Sequence, residues 1–289
     1  MYTSVLVPTS LTRETDDRRE ATRKLGWIAR AAAIFGVDDL VVFPDPEGVG
    51  PEGDAFVATV LRYATTPPYL RKEAFGRRDE LAHVGVLPPL RLPTWTGSES
   101  NGSGSMREGI VTEVGPDGRV RVNCGLQHPI SLVAPGDEPP DEGERVAVSI
   151  SSREPVRAKL LDAELPGPRV RERPLESALS GPEAGVRVAT SRHGHPLDLG
   201  LLAGALADRH ERGLTVAFGA PERGLVPICR SLGLDDRPPT RPGEIPEALE
   251  RAPPGSFDLW LNAIPSQASE VVRTEEAVVA SLACLALEE

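Results

Sequence analysis

Asn262-Ala263-Ile264-Pro265-Ser266-Gln267-Ala268, followed by Val271-Val272-Arg273-Thr274-Glu275-Glu276-Ala277, is the stretch on which the reading of the fold turns. It follows a short apolar run, Phe257 to Leu261, and leads into an apolar tail. A strand thus runs into a Pro-containing loop, and the loop into a helix. In α/β proteins, loops at the carboxyl ends of strands are where ligands sit. Thr274 reads as the N-cap, with Glu275 and Glu276 in a first turn whose dipole favours acids. Ala277, Val278, Leu282 and Leu285 recur near helical spacing. Capping accounts for Thr-Glu-Glu. It leaves Asn262, Pro265, Gln267 and Arg273 in need of a tertiary or ligand reason.

Two further strands end in loops of the same kind. Val186 to Ala189 leads into Thr190-Ser191-Arg192-His193-Gly194, and Thr215 to Phe218 leads into Gly219-Ala220-Pro221-Glu222-Arg223-Gly224. A helix is expected over Leu197 to Ala207. Near the N-terminus, Ser4 to Pro8 and Leu40 to Phe43 read as strands. Ala21, Leu25, Ile28, Ala29 and Ala32 form the apolar face of a helix between Asp16 and Phe35. Phe56, Val57, Val60, Leu61 and Ala64 mark a second helix, broken at Pro67-Pro68. The middle of the chain differs. Gly97 to Ser105 has linker composition, and from Arg107 to about Leu161 short strands alternate with turns. Gly115-Pro116-Asp117-Gly118 is a hairpin turn region between two of them. A small all-β barrel of the OB type fits this span, inserted into an α/β domain with a mostly parallel sheet. Pro166 to Pro174 reads as a second connection. The expected division is 1–92 and 165–289 for the two parts of the α/β domain, 93–106 for a linker and 107–164 for the barrel. Two tandem α/β domains are the alternative.

Composition narrows the classes. At 289 residues the chain can bury a substantial core. It has no long apolar run to cross a membrane, and Met1 to Pro8 lacks a basic, signal-like start. Cys124, Cys229 and Cys284 are widely separated. They suggest buried thiols in a reducing cytoplasm rather than a disulfide framework or a metal site. Net charge is −11, and only Lys24, Lys72 and Lys159 among the 32 basic residues are lysines. This pattern suggests a salt-adapted or high-GC source. It argues against indiscriminate nucleic-acid binding but leaves room for local arginine surfaces. No Gly-x-Gly-x-x-Gly follows the first strand and no Walker A sequence exists, which excludes the standard dinucleotide and P-loop readings.

Taken singly, a glycine at a strand end reads as a turn. Together and in this order, the three loops resemble those of the SPOUT superfamily of S-adenosylmethionine-dependent RNA methyltransferases, in its archaeal and eukaryotic branch with an OB-like insertion. Thr65-Thr66-Pro67-Pro68-Tyr69-Leu70-Arg71-Lys72, Arg107-Glu108-Gly109 and Val122-Asn123-Cys124-Gly125 add to the resemblance. It implies a SPOUT-type α/β fold with a C-terminal trefoil knot, and a homodimer built through the knot region. It also implies S-adenosyl-L-methionine as cofactor and RNA as partner, with uridine N3 of rRNA as acceptor. Carried over, the cofactor residues are Thr190, Ser191, Gly194, Gly219, Gly224, Asn262, Ile264, Pro265, Gln267 and Thr274. Arg273, Glu275 and Arg192 become the catalytic candidates, with no metal. Ala268 departs from the glycine that relatives often carry after the Gln.

The general base is left open among Glu222, Glu275, Glu276 and His193. Arg192 and Arg273 suit phosphate or substrate orientation. For RNA contact, Arg13, Arg19, Arg23 and Arg30 lie on or before the first helix, and Arg119 and Arg121 on the β hairpin. A solvated charged face accounts equally well for the helical stripe. A non-catalytic ribosome-assembly factor and a protein methyltransferase remain compatible with the same scaffold.

Overall fold

Val5, Leu6 and Val7 are fully buried and run through the centre of a six-stranded sheet. A strand buried on both faces carries a continuous apolar run rather than an alternating one. The computed structural model describes residues 1–48, 53–92, 105–135, 139–153, 155–165, 167–198, 200, 212–221, 223–234 and 255–285. Residues 93–104 of the expected linker and nearly all of the helix over 197–207 lie outside them, as does Glu222; the linker's last two residues, Ser105 and Met106, open a strand. The chain divides into two compact units. One comprises Met1–Arg62, Glu80–Pro88 and Pro168–Glu289; the other comprises Tyr63–Asp79 and Pro89–Gly167.

In the first unit the strands are β1 (Thr3–Pro8), β2 (Asp39–Phe43), β8 (Arg169–Glu172), β9 (Val186–Pro196), β10 (Leu214–Ala217) and β11 (Leu259–Asn262). Their order is β11-β9-β10-β1-β2-β8, and every pairing is parallel. The expected α/β class and parallel sheet are therefore present. Helix α1 (Arg18–Ile34) begins at Asp17, whose side chain accepts from Glu20 N. Its predicted apolar face, Ala21, Leu25, Ile28, Ala29 and Ala32, is wholly buried. Helix α2 spans Asp54–Thr65.

One face of the sheet meets α4 (Leu175–Ser180) and α5 (Leu225–Ser231) in a cluster built on Leu6, Phe43, Leu179, Ile228 and Trp260. Helix α6 (Thr274–Leu285) packs against α1. Among the described residues, no helix is long and apolar enough to cross a membrane.

Strand β8 corrects the reading of Pro166 to Pro174 as a connection. Its apolar content is a single Val170, so no periodicity announces it. Arg169 and Arg171 instead pair with the almost fully buried carboxylate of Asp39 on β2, at 3.2 and 2.9 Å. A similar device fixes β11. Asp258 is 1 % exposed and accepts from Arg187 N at 2.7 Å, Nε at 3.0 Å and Nη2 at 2.6 Å. Removing one partner of a buried pair strands the other charge. Asp258→Asn is expected to cost about 3 kcal/mol of unfolding free energy, measured by urea denaturation.

In the second unit, β3 (Ser105–Val114), β4 (Arg119–Asn123), β5 (Ile130–Val133), β6 (Arg145–Arg153) and β7 (Val156–Leu161) form an antiparallel sheet ordered β5-β4-β3-β6-β7. The terminal strands β5 and β7 approach each other, so the sheet is a nearly closed barrel. Its core holds Val111, Val120, Val122, Leu132, Val148 and Leu160. The Gly115–Gly118 turn joins β3 to β4 as expected, with Gly115 N donating to Arg119 O.

The stretch around Tyr69, which precedes α3 (Arg71–Phe75), belongs to this unit. The Tyr69 hydroxyl donates to Glu108 O at 3.0 Å, and the Arg107 guanidinium lies 5.3 Å from the centre of its ring. Arg107 Nη1 donates to Cys124 O. The three motif stretches of the middle region thus meet in one cluster. Burial there pushes the Tyr69 phenol up to about 12 and raises the Cys124 thiol.

Candidate active site

Strand β9 continues past the sheet. Its first half pairs with both β10 and β11; beyond a register shift between Trp260 and Leu261, its second half follows β11 alone. This overrun lets Gly194 lie against β11. A Cβ on Gly194 would stand 2.6 Å from the Leu261 carbonyl carbon, so only glycine permits the approach. The loop after β10 turns equally tightly. A Cβ on Gly219 would meet the Gly224 carbonyl carbon and Leu225 N, both at 2.4 Å.

Three side-chain donors bind the walls of the cleft together; Thr190 to Gly194, expected as a loop, lies within β9, between the residues that pair with Trp260 and Leu261. Thr190 Oγ1 donates to Ala217 O at 2.9 Å, tying the middle of β9 to the end of β10. Asn262 Nδ2 donates to Arg192 O at 3.0 Å, while Asn262 Oδ1 accepts from Ile264 N at 2.9 Å. Thr274 Oγ1 donates to Gly219 O at 3.1 Å, tying α6 to the loop after β10. The loops enclose a cleft of ≈ 790 Å³. Val226, Pro227, Ile264 and Val272 supply apolar walls, and Ser191, Arg192, His193, Gln267 and Arg230 a polar rim. Volume, apolar walls and close backbone match what a nucleoside-sized ligand requires, and S-adenosylmethionine fits that description.

Of the residues expected at a cofactor site, Thr190, Ser191, Gly219, Gly224, Asn262, Ile264, Gln267 and Thr274 line the cleft. Gly194 serves the close approach of β9 to β11 instead, and Pro265 is exposed in the loop that also holds Ala268. Among the catalytic candidates, Arg192 lines the cleft, with its Nε 3.1 Å from His193 Nε2.

Arg273 and Glu275 lie away from the lining and have partners on α1. Arg273 Nη1 donates to Glu20 Oε1 at 3.1 Å. Glu275 Oε2 stands 3.7 Å from Lys24 Nζ, which also pairs with Glu14. The helix start differs from expectation by one residue. The Arg273 carbonyl accepts from Ala277 N and its N–H donates to Glu276 Oε2, so Arg273 is the N-cap. The hydroxyl of Thr274 reaches the neighbouring loop instead.

Sequence reasoning missed Arg223. It lines the cleft, and its guanidinium donates from Nε to Asp45 Oδ2 and from Nη2 to Glu47 Oε2, each at 3.0 Å. Asp45 is fully buried and also accepts from Ser10 Oγ at 2.6 Å. Burial alone would lower the Arg223 pKa; the hydrogen bonds to Glu47 and Asp45 outweigh it and raise it. The signal was the arginine next to Gly224, but its acidic partners follow a different strand.

Arg13, Arg19 and Arg23 are exposed and Arg30 is half-buried; the same face of α1 carries Trp27, 51 % exposed, and Ile34, 59 % exposed. Arg119 donates to Ser131 Oγ at 3.1 Å, and Arg121 pairs with Glu113 at 3.2 Å in solvent.

Comparison with known proteins gives the family. An uncharacterized protein of Haloarcula marismortui is 60% identical over 291 residues, covering 100% of both chains. An uncharacterized protein of Halobacterium salinarum is 59% identical over 289 residues, again across both chains. The 28S rRNA (uridine-N(3))-methyltransferase of Homo sapiens is 31% identical over 314 residues, covering 98% of this chain and 77% of that protein. The family described as "Putative RNA methyltransferase" matches residues 2–285. With that match spanning both units and all three cleft loops, the chain belongs to this family of RNA methyltransferases.

Proposed function

We propose that the chain transfers a methyl group from S-adenosylmethionine to uridine N3 of rRNA. The observation that carries this reading is the cleft itself, walled by the Thr190–His193 segment of β9 and by the loops after β10 and β11, which hydrogen bonds from Thr190, Asn262 and Thr274 hold together. The similarity to the human uridine-N3 methyltransferase supports the choice of acceptor. When bound, S-adenosylmethionine supplies an electrophilic methyl on a cationic sulfur. The protein's part is to align the acceptor and remove one proton from the imide nitrogen. Glu275 and Glu276 are engaged with Lys24 and the helix cap. His193 and Glu270 line the cleft and are the groups we assign to proton acceptance. Arg192 and Arg230, on the same rim, orient the RNA.

The reading extends to architecture: a SPOUT-type fold with a C-terminal trefoil knot and an OB-like barrel. The register shift between β9 and β11 and the hydrogen bonds across the cleft walls support it. Exposed Trp27 and Ile34 on α1, with exposed Val271 and Val279 at and within α6, support a homodimer through these packed helices.

Calorimetric titration with S-adenosylmethionine tests the cofactor, and mass spectrometry of rRNA from a deletion strain tests the reaction. Saturable heat and loss of one methyluridine are expected. Absence of heat would sink the methyltransferase reading. Saturable heat with unchanged rRNA methylation would move the protein to a non-catalytic or protein-directed role. Asn262→Ala removes two neutral hydrogen bonds worth about 1 kcal/mol each. It is expected to weaken cofactor binding about 30-fold in the same titration.

A further inference from the structure

We propose that the slot between β5 and β7 binds the backbone of single-stranded RNA. The proposal deepens the RNA reading above and rests on it only for the choice of nucleic acid. These two strands end the barrel sheet and are not paired with each other. Between them lies a cavity of ≈ 640 Å³, lined by Ile130, Ser131, Ser149, Ser151, Arg157 and Lys159 among others. Among the described residues no carboxylate lines it, although acids outnumber bases 43 to 32 in the whole chain.

The strand register explains this chemistry. Ser149 pairs with Lys159 across β6 and β7, and Ser131 with Arg121 across β4 and β5. Leu132 and Leu160 alternate with these residues and fill the core, so hydroxyls and cations point outward on both banks. Arg157 and Lys159 are exposed, and neither has an ion-pair partner among the described residues. Arg119 adds a third cation, held beside the slot by donating from Nε to Ser131 Oγ and from Nη2 to Ser131 O.

Charge complementarity selects the occupant. A phosphodiester backbone accepts hydrogen bonds from ammonium, guanidinium and hydroxyl groups alike. The slot offers all three and, among the described residues, no competing carboxylate. A docking peptide would gain affinity from apolar side-chain pockets. Here the outward rows place Ser131, Arg157 and Lys159 beside two exposed valines, Val133 and Val156, and the cations decide the occupant.

The test is fluorescence anisotropy with a labelled twelve-nucleotide oligouridylate and a labelled RNA hairpin, over a series of KCl concentrations. Arg157→Gln/Lys159→Gln is expected to weaken oligouridylate binding about tenfold. It should also flatten the slope of log affinity against log salt by about 1.4, or ~0.7 per cation lost. The conservative pair Arg157→Lys/Lys159→Arg should stay within about threefold of wild type. Both pairs should leave the S-adenosylmethionine titration unchanged.

Unaltered affinity and slope in the glutamine pair would overturn the proposal. So would an equal loss in the conservative pair, or a loss confined to the hairpin. If wild type binds no cofactor while the glutamine pair still loses oligouridylate affinity, the slot stands and the methyltransferase reading falls.

Discussion

Lys24→Met is expected to destabilise the parallel-sheet unit by about 4 kcal/mol and to lower its melting temperature by about 10 °C. Lys24 is 4 % exposed and stands between Glu14 on the preceding loop and Glu275 on α6. Its ammonium is the cation that faces both acids. Each also buries an Oε2 with no hydrogen-bond partner among the described groups. With the lysine replaced by an apolar side chain, two part-buried carboxylates face each other across the α1–α6 junction. Loss of one partner from a buried pair costs more than the pair itself contributes, because desolvation is no longer offset. Thermal denaturation followed by circular dichroism measures the shift. Lys24→Met/Glu275→Gln should recover roughly half of it by removing one stranded charge. A shift in the single variant below about 2 °C would show that the junction tolerates the loss and that Glu275 is free for another role.

Gly219→Ala is expected to weaken S-adenosylmethionine binding at least about 100-fold, or ~2.7 kcal/mol, with a much smaller effect on stability. The added methyl would stand 2.4 Å from Gly224 C and from Leu225 N. Both are backbone atoms, so no rotamer change relieves the clash, and the whole 219–224 turn must open. That turn forms one wall of the cleft, and its Gly219 carbonyl receives the Thr274 hydroxyl. The displacement therefore reaches the start of α6 as well. Calorimetry on the variant, beside its melting curve, separates cofactor loss from unfolding. An affinity within about threefold of wild type would mean that the turn does not contact the cofactor.

The elements legible in the sequence are those whose burial leaves a period. The face of α1, the central strands and the Gly115–Gly118 hairpin all carry the alternation or run that their packing demands. Strand β8 carries none, because Arg169 and Arg171 hold it through Asp39 rather than through an apolar face.

Long-range partners are equally silent. The Glu275 carboxylate reads as a dipole-compensating acid until α1 brings Lys24 to it. Tyr69 reads as part of a Pro-rich stretch until Glu108 and Arg107 reach it. At the site, convergence of three strand ends followed from a parallel sheet, so the cleft loops could be named in advance. The division of labour within them could not. Thr190, Asn262 and Thr274 spend their polar atoms on neighbouring main chain, and polar residue type does not distinguish gripping a ligand from gripping a loop.

The three bonds that join those loops involve hydroxyls, a carboxamide and backbone carbonyls, and none carries a formal charge. Salt acts differently on the two kinds of contact this protein uses. At molar ionic strength the screening length falls to about 3 Å. Exposed pairs such as Arg273–Glu20 and Arg121–Glu113 then lose most of their attraction, as do arginine surfaces facing phosphate. The cleft walls keep their spacing, because neutral hydrogen bonds and glycine close contacts are not screened. On the proposed function, small-molecule capture would in this way be uncoupled from nucleic-acid capture, with ionic strength tuning the second and leaving the first in place.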